Sequence, residues 1–225
     1  EEINQKIAEL SRQKTDAELF IDQLVVAMVD LDEWKFNEMI VQLEDRFGFV
    51  RTITEVVYPF LEKIGVMWQT GTITPAHEHF ISNLIRQKLI TAIASLPVAP
   101  RTAPAALLFL PEGELHEFGL LFFHYITRKK GYYTFYLGQS VPLPDVLAIY
   151  DTHRPRMVIT NFISTPAPSQ IQSYLNQLAE RMPHARIFAA GHNLRNAAVL
   201  IPKNVRVIYK ATELDQVLPD ARNFV

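Results

Sequence analysis

Residues 105–122, AALLFLPEGELHEFGLLF, decide how the second half of the chain folds. The first six residues are apolar without interruption, which is typical of a strand buried on both faces of a parallel sheet. A short acidic loop follows, and apolar residues then recur with the spacing of a helix. The stretch therefore predicts a strand, a loop and a helix, with His116 in the loop.

The same alternation continues to the end of the chain. Four more strands are predicted, in YYTFYL, RMVITNFI, RIFAAG and VRVIYK. Helices are predicted over Glu117–Lys130, Pro144–Thr152 and Pro168–Met182, near Asn193–Leu200, and from Thr212. This pattern predicts a flavodoxin-like (Rossmann-like) five-stranded parallel sheet with helices on both faces. If the strand order is 2-1-3-4-5, the His116 loop lies where the order reverses, which is where ligands of such sheets bind.

The first part of the chain has the apolar spacing of helices. Thr15 and Glu18 form a capping box ahead of LFIDQLVVAMV, and a second helix is predicted over Asp32–Phe47, ending at Gly48. The stretch before them, EEINQKIAELSRQK, is expected to be the tail of a further helix.

Two more helices complete a predicted antiparallel four-helix bundle. Thr52 and Glu55 repeat the capping box before VVYPFLEKIGVMW, and Pro59 predicts a kink or a late start there. Thr74 and Pro75 are the cap and first residue of PAHEHFISNLIRQKLITAIASL.

A proline-rich segment, PVAPRTAP, separates the two halves. Its prolines and its lack of hydrophobic period indicate a linker. We therefore predict a helical bundle over residues 1–98 and an α/β domain over residues 103–225.

Composition excludes several classes of function. Hydrophobic residues make up 48% and charged residues 20% of the chain, as in globular domains, and the absence of cysteine excludes disulfides and thiolate metal sites. A net charge of −2 without a basic stripe makes this chain alone a poor candidate for binding DNA. No apolar run reaches the length of a membrane span, so we expect a cytoplasmic protein without a membrane partner. The start at Glu1 suggests a fragment of a longer protein.

The histidine motifs point to one candidate metal ligand. His77 and His79 stand two apart on a predicted helix and point about 200° apart, so they cannot share an ion. In the loop, Glu114 stands two residues before His116, and a carboxylate in that position orients an imidazole and strengthens it as a metal ligand. Gly119 would let a flat cofactor approach the backbone. Two interpretations remain open: an axial ligand to a cofactor's metal, and a solvated loop histidine.

ELHEFG resembles the first element of the cobalamin-binding motif, which is Asp-x-His-x-x-Gly, then Ser-x-Leu, then Gly-Gly. His116 and Gly119 are kept, and residues 131–147, GYYTFYLGQSVPLPDVL, are similar to the run from second strand to second helix. The resemblance implies that His116, oriented by Glu114, is the lower axial ligand of cobalt. It also implies that the vitamin's own base is displaced and threads into the sheet domain.

WQTGTITPAHEHF contains Trp68 and, after nine residues, Glu78 and His79. This Trp-x9-Glu-His pattern resembles the helical cap of MerR-type, light-sensing, cobalamin-dependent repressors of the CarH and LitR type. The resemblance implies adenosylcobalamin as cofactor, with Trp68 covering the upper adenosyl group and Glu78 contacting it. It also implies that His79 takes the upper cobalt position after light breaks the cobalt–carbon bond.

Three positions depart from the motif. Glu114 replaces aspartate, Asn161 stands at the motif serine, and Ala190 replaces the first glycine while Gly191 is kept. Asn161 is larger than serine and is expected to narrow the slot for the base, and the Ala190 methyl is expected to obstruct the tail. Ser164, close by in sequence, is a candidate substitute as polar partner.

The sequence thus predicts the sensor region of a MerR-type transcriptional regulator. It would bind adenosylcobalamin between helical cap and α/β domain, and change its homo-oligomeric state, as a dimer or tetramer, with light or cofactor. DNA would be contacted only through an N-terminal domain outside this sequence, and no catalytic residue is predicted. One alternative is a cofactor-free oligomerisation module, which the altered serine and glycine positions favour. Another is a corrinoid methyl carrier, which the capping pattern disfavours because carriers must expose the upper face.

Overall fold

The computed structural model of the protein describes residues 16–196 and 198–224. The chain divides after Gln87 into two compact units, each described by itself below. The domain limits predicted from the linker remain a proposal. The capping box at Thr15 and the helix predicted before it lie outside the described residues.

The first part of the chain is helical, as predicted. Its elements are α1 (Asp16–Val29), α2 (Glu33–Phe47), α3 (Phe49–Arg51), a π-helical segment (Thr52–Val57), α4 (Tyr58–Gln69) and α5 (Pro75–Ser95). The third predicted helix is therefore composite, running through α3, the π-helical segment and α4. Side chains from each long helix are fully or almost fully buried, among them Leu24, Met28, Phe36, Leu43, Phe60, Ile64, Ile81 and Ile85.

The predicted capping box at Thr52 is wrong. The helix starts three residues earlier, after Gly48 at φ +76°, so Thr52 already has helical backbone angles and its side chain is buried. Glu55 instead pairs with Arg51, at 2.8 Å between Oε1 and Nε. Regular α-helix resumes only at Tyr58 with Pro59 in its first turn, in line with the predicted late start. The π-helical segment before it has a different hydrogen-bond pattern, since the Tyr58 N–H donates to the Ile53 carbonyl five residues back.

The second unit contains a five-stranded parallel sheet, as predicted. The strands are β1 (Ala105–Pro111), β2 (Tyr133–Val141), β3 (Met157–Asn161), β4 (Arg186–Ala190) and β5 (Val205–Ile208). They pair in the order β2-β1-β3-β4-β5, which confirms the order on which the predicted position of the His116 loop depended. The loop therefore follows β1, the second strand of the sheet, at the point where strand order reverses.

Helices connect the strands. They are α6 (Phe118–Lys129), α7 (Leu143–His153), α8 (Pro168–Arg181), α9 (His192–Asn196) and α10 (Ala211–Val217), followed by a 3₁₀ turn (Ala221–Phe224). The fourth helix of this unit is shorter than predicted and ends at Asn196. Within the described residues, no helix is long and apolar enough to cross a membrane.

A core cluster of this unit combines side chains of the sheet with side chains of α7 and α8. Its members include Leu107, Phe109, Val146, Tyr150, Val158, Phe162, Ile171, Leu175, Leu178 and Ile187, all at most 1% exposed. Because the strands are parallel, packing them in register brings the carboxyl ends of β1, β3 and β4 to one edge of the sheet. The candidate site lies at that edge.

The N-cap of α2 provides a test of the helical unit. Asp32 accepts a hydrogen bond from the Lys35 backbone N–H at 2.9 Å. We expect Asp32→Ala to lower the free energy of unfolding by about 1 kcal/mol, because an N-terminal N–H loses its partner. Urea unfolding followed by circular dichroism measures this. Asp30→Ala, two residues earlier at an exposed position, is the control, and an equal loss in both variants would contradict the capping role.

Candidate functional site

The buried carboxylate of Glu114 joins two loops at the carboxyl edge of the sheet. Its side chain is 0% exposed. Oε2 accepts the backbone N–H groups of Ile163 at 3.0 Å, Ser164 at 2.6 Å and Thr165 at 2.9 Å. The loop after β1 is thereby attached to the loop after β3.

The other carboxylate oxygen orients His116. Oε1 of Glu114 lies 2.6 Å from Nδ1 of His116 and accepts the His116 backbone N–H at 3.0 Å. A carboxylate partner keeps the proton on Nδ1, which leaves the lone pair on Nε2. The imidazole is 62% exposed, so Nε2 belongs to an accessible ring that is held at its other nitrogen. The glutamate in place of the motif aspartate still makes the histidine contact.

The pKa of Glu114 is lowered to about 2 by this environment. Burial is the largest single effect and favours the neutral acid. The backbone N–H donors of Ser164, Thr165 and His116, together with the His116 ring, outweigh it by stabilising the anion. Glu114 is therefore a carboxylate at neutral pH.

A second attachment of the His116 loop comes from the end of β2, and sequence reasoning did not find it. Ser140 Oγ accepts the Gly113 N–H at 3.0 Å, and the Ser140 N–H donates to the Glu114 carbonyl at 3.1 Å. Gln139 Nε2 donates to the Leu115 carbonyl at 2.6 Å. Ser140 adopts φ +52°, which is uncommon for a non-glycine residue. The sequence indicated Gln139 and Ser140 only as part of residues 131–147, the run that resembles the family's second strand and second helix.

Asn161 fills the space beside Gly119. The Asn161 side chain is 2% exposed, and in the amide orientation that satisfies its neighbours it accepts the Leu120 N–H at 3.1 Å and donates to the Thr160 carbonyl at 3.0 Å. A Cβ at Gly119 would lie 2.5 Å from the end of that amide. The absent side chain at Gly119 thus makes room for Asn161, and the approach of a cofactor to Gly119 stays a prediction.

Another part of the protein likewise lies directly against Gly191. It has φ +117°, and a Cβ there would overlap the backbone of Phe162. Phe162 also donates its N–H to the Ala190 carbonyl at 2.8 Å, and its own carbonyl accepts the Asn193 N–H at 3.0 Å. The predicted substitute partner, Ser164, is engaged too, since its N–H and its hydroxyl both point to Glu114.

The remaining predicted residues lie on the helical unit. Trp68, in the last turn of α4, is 55% exposed. Glu78 and His79 lie in the first turn of α5, with 2.8 Å between Glu78 Oε2 and His79 Nδ1, and Glu78 Oε1 accepts the Ser82 hydroxyl at 2.6 Å. His79 is 73% exposed. The tryptophan and the histidine are thus surface side chains of this unit.

The depressed pKa of Glu114 predicts a loss of stability in acid. Its folded pKa of about 2 lies below the ordinary value of 4.5, so the carboxylate contributes stability above about pH 4.5 and loses it as the pH falls towards 2. Glu114→Gln should lower the free energy of unfolding by about 3 kcal/mol at pH 7 and flatten its dependence between pH 4.5 and 3. Urea unfolding at these pH values tests this. The exposed Glu112→Gln is the control, and equal pH profiles for the Glu114 variant and wild type would refute the assignment.

Comparison with protein families and curated proteins identifies relatives of both parts of the chain. The family model described as B12 binding domain matches residues 20–92. The HTH-type transcriptional repressor CarH of Myxococcus xanthus is 26% identical over 167 residues, which cover 74% of this chain and 55% of CarH. The repressor CarA of the same organism is 34% identical over 117 residues, covering 52% of this chain and 38% of CarA. The chain thus spans about half or less of the length of these relatives.

Among solved structures, the monomethylamine corrinoid protein of Methanosarcina barkeri has a similar fold. Its TM-score is 0.65 at 15% sequence identity, covering 89% of this chain and 97% of that protein. At this identity the likeness concerns the fold alone. The sequence comparisons show that residues 20–92 match the B12 binding domain model and that the chain is similar to the CarH and CarA transcriptional repressors.

Proposed function

We propose that this chain is the B12-binding sensor region of a transcriptional regulator related to CarH and CarA. The observation that carries the proposal is the Glu114–His116 pair. An exposed imidazole is held through Nδ1 by a buried carboxylate, which itself is held by three backbone N–H groups from another loop. The pair stands where the strand order reverses, the usual ligand position of such sheets.

The residues around His116 fit the axial side of a corrinoid. Cobalamin supplies a cobalt ion with an axial position that an imidazole nitrogen can fill. His116 would hold it through Nε2, and Glu114 would keep the proton on Nδ1, as carboxylates do for metal-bound histidines. The protein's contribution is thus the orientation and basicity of one ligand.

The helical unit would supply the contacts to the upper face of adenosylcobalamin. Trp68 is an exposed aromatic side chain that would cover the upper ligand, with Glu78 beside it and His79 as the ligand that replaces it after light. The support is the homology of this region to the B12 binding domain family and the exposure of the tryptophan and the histidine. The output would be a change in homo-oligomeric state, communicated to a DNA-binding domain in the complete protein.

A cofactor-free oligomerisation module is the second candidate. It is favoured by the close contacts of Gly119 with the Asn161 side chain and of Gly191 with the Phe162 backbone, at the two motif glycines where the resemblance expects the ligand. The third candidate, a corrinoid methyl carrier, is supported only by the likeness of this fold to that of the Methanosarcina barkeri corrinoid protein.

Cobalt ligation by His116 can be tested by absorption spectroscopy. The chain is mixed with adenosylcobalamin in the dark and desalted. Wild type should retain a corrinoid whose visible spectrum differs from that of the free cofactor, because an imidazole nitrogen has replaced the benzimidazole base. His116→Ala should lose the altered spectrum and bind at least about tenfold more weakly, a difference of about 1.4 kcal/mol.

The matched control is His184→Ala, an exposed histidine ahead of β4, at the opposite edge of the sheet. It should behave as wild type. A wild-type protein that elutes without corrinoid would favour the cofactor-free module instead.

The proposed switch can be tested by size-exclusion chromatography before and after green light. Illumination of the loaded wild type should change both the spectrum and the elution volume. His79→Ala should respond to light yet fail to form the stable product spectrum, because the replacing ligand is absent. His77→Ala is the control, since its Nδ1 contacts Thr74. An unchanged elution volume in loaded wild type would refute the assembly change.

A further inference from the structure

We propose that this site takes corrinoids without a lower nucleotide, of the cobinamide class, in preference to complete cobalamins. The inference rests on the proposed function, since it concerns the ligand that His116 would hold. It follows from two observations: the His116 imidazole is exposed, and the groups beside Gly119 and Gly191 are closely packed.

The chemistry of the vitamin sets the requirement. The nucleotide of cobalamin hangs from the lower face of the corrin ring, the face that carries the lower axial ligand. When an imidazole of the protein takes that axial position, the base is displaced but stays attached on the same face. It is therefore directed at the protein around His116 and needs a cavity there.

The groups beside the motif glycines and behind His116 are already packed against the protein. On the α6 side, Asn161 fills the gap beside Gly119 and is 2% exposed. On the β4 side, Gly191 is in direct contact with the Phe162 backbone. Between them, Glu114 is 0% exposed and occupies the N–H groups of the loop after β3.

Asn161 is held where it is by buried hydrogen bonds. Its amide accepts the Leu120 N–H, which lies in the first turn of α6 and has no partner within that helix, and it donates to the Thr160 carbonyl. Admitting a base beside Gly119 would break both bonds and leave a buried N–H and a buried carbonyl without partners. A ligand without the nucleotide avoids this loss and still meets the 62% exposed imidazole.

The test compares two ligands with the same upper group. Adenosylcobinamide and adenosylcobalamin are titrated in the dark into the complete 225-residue chain, and binding is followed by calorimetry and by the visible spectrum. Wild type should bind the cobinamide at least about tenfold more tightly. Its bound spectrum should show a nitrogen ligand that disappears in His116→Ala.

Asn161→Ser tests the residue that carries the inference. A smaller side chain should tighten cobalamin binding by about tenfold and leave cobinamide binding unchanged, so the preference narrows. Asn176→Ser, at an exposed amide on α8 that bonds Gln172, is the control and should keep the wild-type ratio.

The outcomes separate this inference from the function on which it rests. Equal or tighter binding of the cobalamin to wild type would overturn the inference and leave B12 binding standing. Failure of both ligands to bind would overturn both. The wild-type ratio decides even if Asn161→Ser does not fold.

Discussion

The arrangement of the loops in the second unit depends on the hydrogen bonds of one buried carboxylate, that of Glu114. A carboxylate removed from water is costly unless it is fully hydrogen-bonded. Glu114 meets that condition only when the loop after β1 and the loop after β3 lie side by side, because the three N–H groups on Oε2 come from Ile163, Ser164 and Thr165. The same carboxylate then determines which nitrogen of His116 is accessible. The position of the loop and the orientation of the His116 ring thus have one physical cause.

The end of β2 reinforces this arrangement from the other side. Ser140 and Gln139 bond the backbone of the His116 loop directly, so the loop is held between strands that flank β1. These bonds fix the position of the loop that carries the imidazole, and rigid positioning lowers the entropy that a side chain loses when it binds a ligand. The hydrogen bonds from Ser140 and Gln139 hold the loop, and the bond from Glu114 holds the His116 ring.

The two glycines of the motif show how a retained residue can change its role. Glycine permits close approach, and it does so here for the protein itself: the amide of Asn161 lies against Gly119, and the Phe162 backbone lies against Gly191. The His116 imidazole remains exposed, while both glycines are in close contact with the protein itself.

The sequence by itself determined the elements whose causes are local. Unbroken apolar runs specify buried parallel strands, and Glu114 and His116 are close enough in one loop to be predicted as a pair. Tertiary structure decided what depends on residues far apart in the chain. Thr52 matches a capping box, yet the preceding helix had already ended at Gly48 and a new one began. The N–H groups that hold Glu114 lie 49 to 51 residues away, and the hydrogen bond from Leu120 to Asn161 also joins separate elements. The spacing of residues along the chain cannot predict such contacts. They form only when the parallel strands pack in register and bring their carboxyl ends to one edge of the sheet.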